Sequence, residues 1–205
     1  MNAENKVSIT VLIPAGRLPL DVMETAGQLA QKHGFGIYLS TAQNLRLIDV
    51  PESVADTVKK TLKKLGVDFK VPGIFPLPRV CVGKEHCKLG IIDTEALSKK
   101  ILDKFSGREK TKAKFKIAIA ACGLCCSNPK TTDIGIISTR NGYQLYVGGK
   151  GGLSPKIGRR VAKNADDNQI LECIDILVDY HDKKTKKKQR MFKLLDKPDF
   201  PLSEI

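Results

Sequence analysis

Five of the six cysteines in this 205-residue sequence stand in two short groups. The first group is Cys81 and Cys87, with five residues between them, and the second is Cys122, Cys125 and Cys126. Six cysteines are too few for a disulfide scaffold in a chain of this length, and grouped cysteines in an intracellular protein are typical of metal or redox chemistry. The sixth, Cys173, lies in an apolar stretch with helical spacing and is predicted to be a small buried hydrophobic residue.

Three kinds of chemistry compete for the grouped cysteines. Structural zinc sites favour two to four residues between paired ligands, so the five-residue gap fits zinc poorly. A redox disulfide between Cys122 and Cys125 has the C-x-x-C spacing, but it leaves the other grouped cysteines without a role. Thiolates delivered from two loops suit a larger iron–sulfur centre. The spacing favours a four-cysteine iron–sulfur site over both alternatives.

Regular elements alternate in the first third of the chain. We predict a strand over 7–13, a helix from Asp21 to His33, a strand over 36–40 that continues through 41–48, and a helix over 54–65. Four residues that disrupt regular structure then follow at Pro72, Gly73, Pro76 and Pro78. This β-α-β-α pattern predicts an α+β half-domain over residues 1–70, with a domain junction after it.

A second set of elements surrounds the cysteines. We predict a helix over 95–105, strands over 115–121, 133–138 and 143–148, and a helix over 166–180. A glycine-rich loop over 148–152 follows the last strand, and a basic run over 183–190 follows the last helix. The predicted organisation is a mixed α/β domain over 71–182 and a basic C-terminal segment over 183–205.

The net charge of +13 calls for a polyanionic partner, since the chain has 35 basic and 22 acidic residues. Nucleic acid, a polyanionic small molecule and an acidic protein are the three candidates. The absence of tryptophan and the 5% aromatic content disfavour binding to single-stranded nucleic acid. The sequence has no apolar run of membrane-spanning length and no secretory start, so we expect a cytoplasmic protein that does not cross a membrane.

The cysteine pattern resembles the cluster signature of the sirohaem-containing sulfite and nitrite reductases. Further motifs of that family occur in the expected order, most closely as in its single-unit, low-molecular-weight sulfite reductases. They are the stretches 40–45 and 50–52, the lysine-bearing segment 114–117, the segment 133–135 and the glycine-rich loop 148–152. The resemblance implies a ferredoxin-like half-domain followed by a mixed α/β iron–sulfur and sirohaem domain.

The same resemblance implies the cofactors and their ligands. A [4Fe–4S] cluster would bind Cys81, Cys87, Cys122 and Cys126, and Cys126 would bridge the cluster to the sirohaem iron. Sulfite or nitrite would be reduced by six electrons, supplied by an acidic ferredoxin-like donor. The cations and glycines expected to act on substrate and sirohaem form two sets: Lys114, Lys116 and Arg46 for catalysis, and Arg79, Lys150, Gly149, Gly151, Lys156 and Arg159 for cofactor binding.

Several positions depart from the family pattern. Gly123 and Leu124 replace the usual proline and asparagine, Ala42 replaces a common arginine, and Cys125 is an additional thiol. The chain also has one copy of a unit that full-size members contain twice. Three explanations remain open: one unit holds both cofactors, a homodimer supplies the second half, or the protein is an electron carrier that has lost sirohaem.

Overall fold

The computed structural model of the protein describes residues 4–109, 111, 114–185 and 189–205. The chain divides into two compact units, Met1–Val71 and Pro72–Ile205. Among the described residues each unit has its own sheet, of four strands in the first unit and five in the second. In the same part of the chain, no helix is both long and apolar enough to cross a membrane.

The first unit packs two helices against an antiparallel sheet. Its elements are β1 (Lys6–Leu12), α1 (Leu20–His33), β2 (Gly36–Leu39), β3 (Leu45–Pro51), α2 (Glu52–Lys63) and β4 (Asp68–Phe69), with strand order β2-β3-β1-β4. Alternate residues of the central strands point to one face, where Val11 and Leu47 pack with Val22 of α1 and Leu62 of α2. These side chains are fully buried, so the two helices cover that face of the sheet.

One strand predicted for this unit is instead a hairpin. The stretch expected to run from residue 36 to 48 folds back on itself, and β2 pairs antiparallel with β3, with Tyr38 opposite Arg46. Ser40 closes the turn, because its backbone N–H donates to the Asn44 carbonyl and its hydroxyl accepts from the Asn44 N–H. The polar residues between the two apolar runs therefore form the turn and do not continue the strand.

The second unit has a mixed sheet in the order β5-β6-β7-β8-β9. Its elements are β5 (Arg79–Val80), α3 (Thr94–Phe105), β6 (Ile117–Ala120), β7 (Ile134–Thr139), β8 (Gly142–Val147), β9 (Arg159–Ala165) and α4 (Asp167–Lys184). Strands β5, β6 and β7 are parallel to one another, and β8 pairs antiparallel with both β7 and β9. Since parallel strands end at the same edge, the segments that follow β5 and β6 meet there.

Acidic caps start both helices of this unit. Asp93 accepts hydrogen bonds from the N–H groups of Glu95 and Ala96, and Asp166 forms a capping box with Gln169. Cys173 lies on α4, where it is half-buried and burial raises the pKa of its thiol.

The C-terminal segment packs on the second unit. Met191 and Leu194 are fully buried, and Met191 lies in a short 3-10 helix over Met191–Lys193. Arg190 and the N–H of Met191 both donate to one carboxylate oxygen of the buried Asp133. Residues 186–188 of the predicted basic run lie outside the described part of the chain.

Candidate metal centre

Two cysteine-bearing loops meet at the carboxyl edge of the parallel strands. Cys81 directly follows β5, Cys122 lies two residues beyond β6, and Val80 is opposite Ile119 in the register. Ala121 joins the two loops through its backbone. Its N–H donates to Sγ of Cys81 at 3.1 Å, and its carbonyl accepts from the N–H of Ile91 at 2.9 Å. The segment that contains Cys81 and Cys87 is thus fixed at both ends to the residue before Cys122.

The first loop, residues 81–91, is closed by its own backbone. The N–H of Lys84 donates to the carbonyl of Ile92 at 2.8 Å, and that of Gly90 donates to the carbonyl of Cys87 at 2.9 Å. Gly90 has no room for a side chain, because an added Cβ would lie 2.6 Å from the backbone nitrogen of Lys84. The hydroxyl of Thr94, at the start of α3, donates to the carbonyl of Cys81. Helix α3 therefore holds the loop from its other side.

The second loop, residues 122–128, begins with a tight turn. The N–H of Cys125 donates to the carbonyl of Cys122 at 3.3 Å, and Cys125 and Asn128 both have left-handed backbones, with φ of 57° and 55°. Ser127 ends the loop by donating to the carbonyl of Ile119. A cysteine rarely adopts this backbone conformation, so the fold imposes it at position 125.

Arg79 ties the strand before the first loop to the end of the second. Its Nε donates to the carbonyl of Ser127 at 2.8 Å, and its Nη2 donates to the hydroxyl of Thr132 at 3.1 Å. Burial lowers the pKa of the guanidinium, and the nearby positive charge of Arg190 lowers it further. Arg79 therefore connects the residue after Cys126 to β5.

The thiols of the two loops are close enough to influence one another. Burial raises the pKa of the Cys125 thiol, Lys130 opposes this, and the thiols of Cys122, Cys126 and Cys81 raise it further. All six cysteines of the chain are free thiols. Among the described side chains, no three of His, Cys, Asp or Glu converge on one point as ligands of a single ion do.

Exposed apolar side chains occur in the same two loops as these thiols. Four large hydrophobic residues in the two loops are 41–66% exposed: Val82, Leu89, Ile91 and Leu124. Lys84 and Lys88 of the first loop are also exposed. We call Val82, Leu89, Ile91 and Leu124 the apolar rim.

The predicted catalytic lysines lie at the opposite end of β6 from Cys122. The strand predicted over 115–121 is shorter, Ile117–Ala120, and Lys114 has a left-handed backbone with φ of 77°. Lys114 and Lys116 therefore precede the strand and do not lie within it. Both side chains are exposed, and four strand residues, or about 13 Å at 3.3 Å per residue, lie between them and the cysteine loop.

Arg46 lies in the first unit, on β3. Its guanidinium lies over the ring of Tyr38, 5.7 Å from the ring centroid. Its Nε is buried and has no hydrogen-bond partner. Arg46 therefore has a buried donor for which the first unit supplies no acceptor.

The glycine-rich loop forms a small hairpin. Lys150 and Lys156 exchange backbone hydrogen bonds of 2.9 and 2.7 Å, and both ammonium groups lie over the ring of Phe192. Gly149 is buried, and an added Cβ would lie 2.3 Å from the carbonyl oxygen of Lys130. Gly151 has open space around it. Gly149 therefore permits close backbone packing, whereas Gly151 lies in the exposed part of the hairpin.

Two arginine contacts within the second unit were not identified from the sequence. Arg159, expected near the cofactor, instead contacts the C-terminal segment, donating to the carbonyl of Leu195 and pairing with Asp196. Arg190 pairs with Asp133 at 2.8 Å and donates to the carbonyl of Gly149 at 3.0 Å. An aspartate directly before the apolar strand residues 134–137 predicts a buried charge that needs a partner. The sequence does not show that this partner is Arg190.

Two family models match the chain. The nitrite and sulphite reductase 4Fe-4S domain matches residues 78–200, and the nitrite/sulfite reductase ferredoxin-like half domain matches residues 2–65. The chain belongs to the nitrite and sulphite reductase family. The predicted α+β fold, a ferredoxin-like half-domain followed by a cluster domain, is confirmed.

Relatives in this family differ widely in length. The assimilatory-type sulfite reductase of Nitratidesulfovibrio vulgaris is 25% identical over 185 residues, which are 90% of this chain and 84% of that protein. The NADH nitrite reductase large subunit of Escherichia coli is 23% identical over 164 residues, but these are only 19% of its length. Among solved structures, Mycobacterium tuberculosis NirA has a TM-score of 0.73 and 21% identity, covering 94% of this chain and 38% of its own.

The second unit fits the two cofactors that the family implies, a [4Fe–4S] cluster and sirohaem. The grouped donors are all thiols, which is the usual ligand set of such a cluster. The apolar rim offers exposed hydrophobic surface next to these thiols, and the lysines of the first loop offer positive charge. A tetrapyrrole with carboxylate substituents has the complementary chemistry, an apolar ring and an anionic edge.

Proposed function

We propose that this protein reduces a small oxyanion, sulfite or nitrite, by six electrons. The cluster would bind Cys81, Cys87, Cys122 and Cys126, and Cys126 would link it to sirohaem. When bound, the coupled metal centres would store electrons and deliver them to the oxyanion. The residues of the chain would hold the ligands in place and attract the anion.

The observation that carries this proposal is the pair of hydrogen bonds made by Ala121. Its N–H donates to Sγ of Cys81, and its carbonyl accepts from the N–H of Ile91. The two peptide groups that flank Ala121 therefore hold together two loops that are distant in the sequence. A hydrogen bond to a ligand sulfur also influences the reduction potential of a cluster. The backbone therefore supports both the geometry and the electronic properties of the proposed centre.

The exposure of the thiols supports the role of Cys126. Cys81, Cys87 and Cys122 are half-buried, whereas Cys126 is exposed. A ligand shared with a second metal centre needs access to it, and Cys126 is the proposed ligand with that access. Leu124, the most exposed residue of the apolar rim, lies two residues away. The bound macrocycle would cover this apolar surface and exclude water from the thiol.

The basic residues divide into two proposed roles. Lys114, Lys116 and Arg46 would bind the anionic substrate, and the buried unpaired Nε of Arg46 supports this role because a bound anion gives it an acceptor. Lys150, Gly151 and Lys156 would contact sirohaem carboxylates from the exposed hairpin. Arg79 and Gly149 would act indirectly, because their contacts fix the backbone of neighbouring loops.

The electron donor is proposed to be an acidic ferredoxin-like protein in the cytoplasm. The net charge of +13 favours association with an acidic surface, and the exposed Lys84 and Lys88 place positive charge in the first cysteine loop. In this proposal residues 1–70 and 71–182 are the two functional domains, and 183–205 is a basic C-terminal segment.

Replacement of Cys126 by serine tests the proposal. We expect Cys126→Ser to lose cluster iron, labile sulfide and the optical coupling to sirohaem when the protein is purified without oxygen. Cys173→Ser is the matched control, since Cys173 lies on α4 outside the two loops, and its cofactor content should equal that of the wild type. Wild-type iron and sulfide in Cys126→Ser would contradict the ligand assignment, and an iron–sulfur spectrum without sirohaem bands would contradict the reductase activity.

A further inference from the structure

The C-terminal segment holds the glycine-rich hairpin at its base. We call residues 148–158 the glycine hairpin. Arg190 donates from Nη2 to the carbonyl of Gly149 at 3.0 Å. Leu195 packs so closely on Gly148 that a Cβ added there would lie 2.5 Å from Cδ1 of Leu195. Residues from the end of the chain therefore fix the backbone from which the hairpin projects.

Phe192 of the same segment contacts both lysines of the glycine hairpin. The ammonium nitrogen of Lys150 lies 5.1 Å from the centroid of the Phe192 ring, and that of Lys156 lies 5.9 Å from it. Both distances are within the range of a cation–π interaction, about 6 Å. The ring itself is half-buried, so its position is set by packing. One aromatic side chain therefore holds two ammonium groups in the same place.

The two ammonium groups are held together without a neutralising charge. Arg159, next to the glycine hairpin, pairs with Asp196 and Glu204. Among the described residues, neither Lys150 nor Lys156 takes part in an ion pair. Two like charges that share one ring repel each other, and a ligand with two carboxylates would neutralise both. The arrangement therefore favours an anionic ligand.

Apolar side chains are exposed on the same hairpin. Leu153 is fully exposed, and Ile157 is 69% exposed. Large apolar side chains next to paired ammonium groups are complementary to a ligand with an apolar ring and carboxylate substituents. The chemistry of the glycine hairpin therefore matches a carboxylated tetrapyrrole better than a small inorganic anion.

We propose that Phe192 is a positioning residue for sirohaem, which holds Lys150 and Lys156 so that their ammonium groups bind neighbouring carboxylates of the macrocycle. The inference rests on the proposed function, which assigns these two lysines to the sirohaem carboxylates. Phe192 acts without touching the cofactor. Because the ring orders two long side chains before the ligand arrives, less conformational entropy is lost on binding. The C-terminal segment is thereby part of the cofactor site.

The test compares Phe192→Leu with Phe192→Tyr, because leucine is apolar but has no aromatic face, whereas tyrosine keeps that face. Phe200→Leu is the matched control, since Phe200 is a half-buried aromatic residue of the same segment whose ring packs on Tyr180 of α4. The full chain is purified without oxygen from a host that makes no sirohaem. It is then titrated at constant ionic strength with sirohydrochlorin, the iron-free macrocycle, whose affinity does not depend on ligation by Cys126.

We expect Phe192→Leu to weaken the affinity for sirohydrochlorin about three- to tenfold, and Phe192→Tyr and Phe200→Leu to bind as the wild type does. In NMR spectra of the ligand-free chain, the ε-methylene protons of Lys150 and Lys156 should show ring-current shifts in the wild type and in Phe192→Tyr. Absence of these shifts from the wild type would overturn the inference without any variant.

The binding data separate two kinds of failure. A wild type that does not bind sirohydrochlorin would contradict the proposed function and this inference together. Equal affinities of the wild type and Phe192→Leu would overturn the inference alone. A Phe192→Tyr variant as weak as Phe192→Leu would also overturn it, because the ring would then only fill space.

Discussion

Replacement of Arg79 by methionine should weaken both the fold and the retention of the cluster. Arg79 makes two hydrogen bonds, to the carbonyl of Ser127 at 2.8 Å and to the hydroxyl of Thr132 at 3.1 Å. Ser127 and Thr132 are buried, so water does not readily replace the lost donor. Methionine has a similar length and removes the charge and both donors.

The expected loss of stability follows from these two bonds. A hydrogen bond from a charged donor contributes about 1.5–3 kcal/mol. The two bonds share one side chain, so their contributions are not additive. The partly buried guanidinium also loses hydration on folding, as the lowered pKa of Arg79 indicates. This cost offsets part of the stability that the two hydrogen bonds contribute. We therefore expect Arg79→Met to lower the free energy of unfolding by about 2–4 kcal/mol.

The assay combines urea unfolding of the cofactor-free chain with iron and sulfide analysis of the loaded protein. Arg108→Met is the control, because Arg108 pairs with Asp175 and Asp179 of α4, outside both cysteine loops; its loss should cost less than about 1 kcal/mol. We expect cluster content to fall in Arg79→Met alone. An unfolding free energy equal to that of the wild type, with full iron, would refute the role assigned to Arg79.

Two further predictions concern ion pairs of the second unit. Arg190→Met should lower the free energy of unfolding by about 3–5 kcal/mol in urea titrations, because it leaves Asp133 buried and unpaired, and adding Asp133→Asn should restore part of the loss. The Lys100 ammonium holds the pKa of Asp167 below its usual range, so this pair stabilises the protein above pH of about 4 and ceases to do so as pH falls through the depressed pKa. A pH series of urea titrations tests this pair. Lys100→Met should lower the free energy of unfolding by less than about 1 kcal/mol at pH 7 and by almost nothing at the acid end of the series. An equal loss of stability at every pH would contradict the pairing.

Sequence periodicity was sufficient for the strongly patterned elements. The helices of both units and strands β1, β7 and β8 have clear apolar spacing and turn residues at their ends, and each was predicted within a few residues. Strand β9 was missed, because Arg159–Ala165 is mostly polar and is a strand through its pairing with β8. The two-residue strand β5 is too short to have a periodicity.

The candidate site was only partly accessible from the sequence. The cysteines could be identified as candidate ligands from the sequence, because they are grouped and because thiols are distinctive metal ligands. The contacts that hold their loops were not accessible, because Ala121 acts through its peptide groups and its methyl side chain carries no signal. The roles of Arg79 and Arg190 were equally hidden, since their partners lie 41–57 residues away in the chain.

The pairing of β5 with β6 also sets a time order for biosynthesis. Cys81 and Cys87 leave the ribosome well before Cys122, by about 2–7 s at usual rates of translation. Until β6 has emerged and docked beside β5, the early thiols have no neighbouring strand and no amide from Ala121. A nascent chain therefore exposes half of the proposed ligand set to oxidants, and delivery of the cluster would have to wait until the later half has been translated.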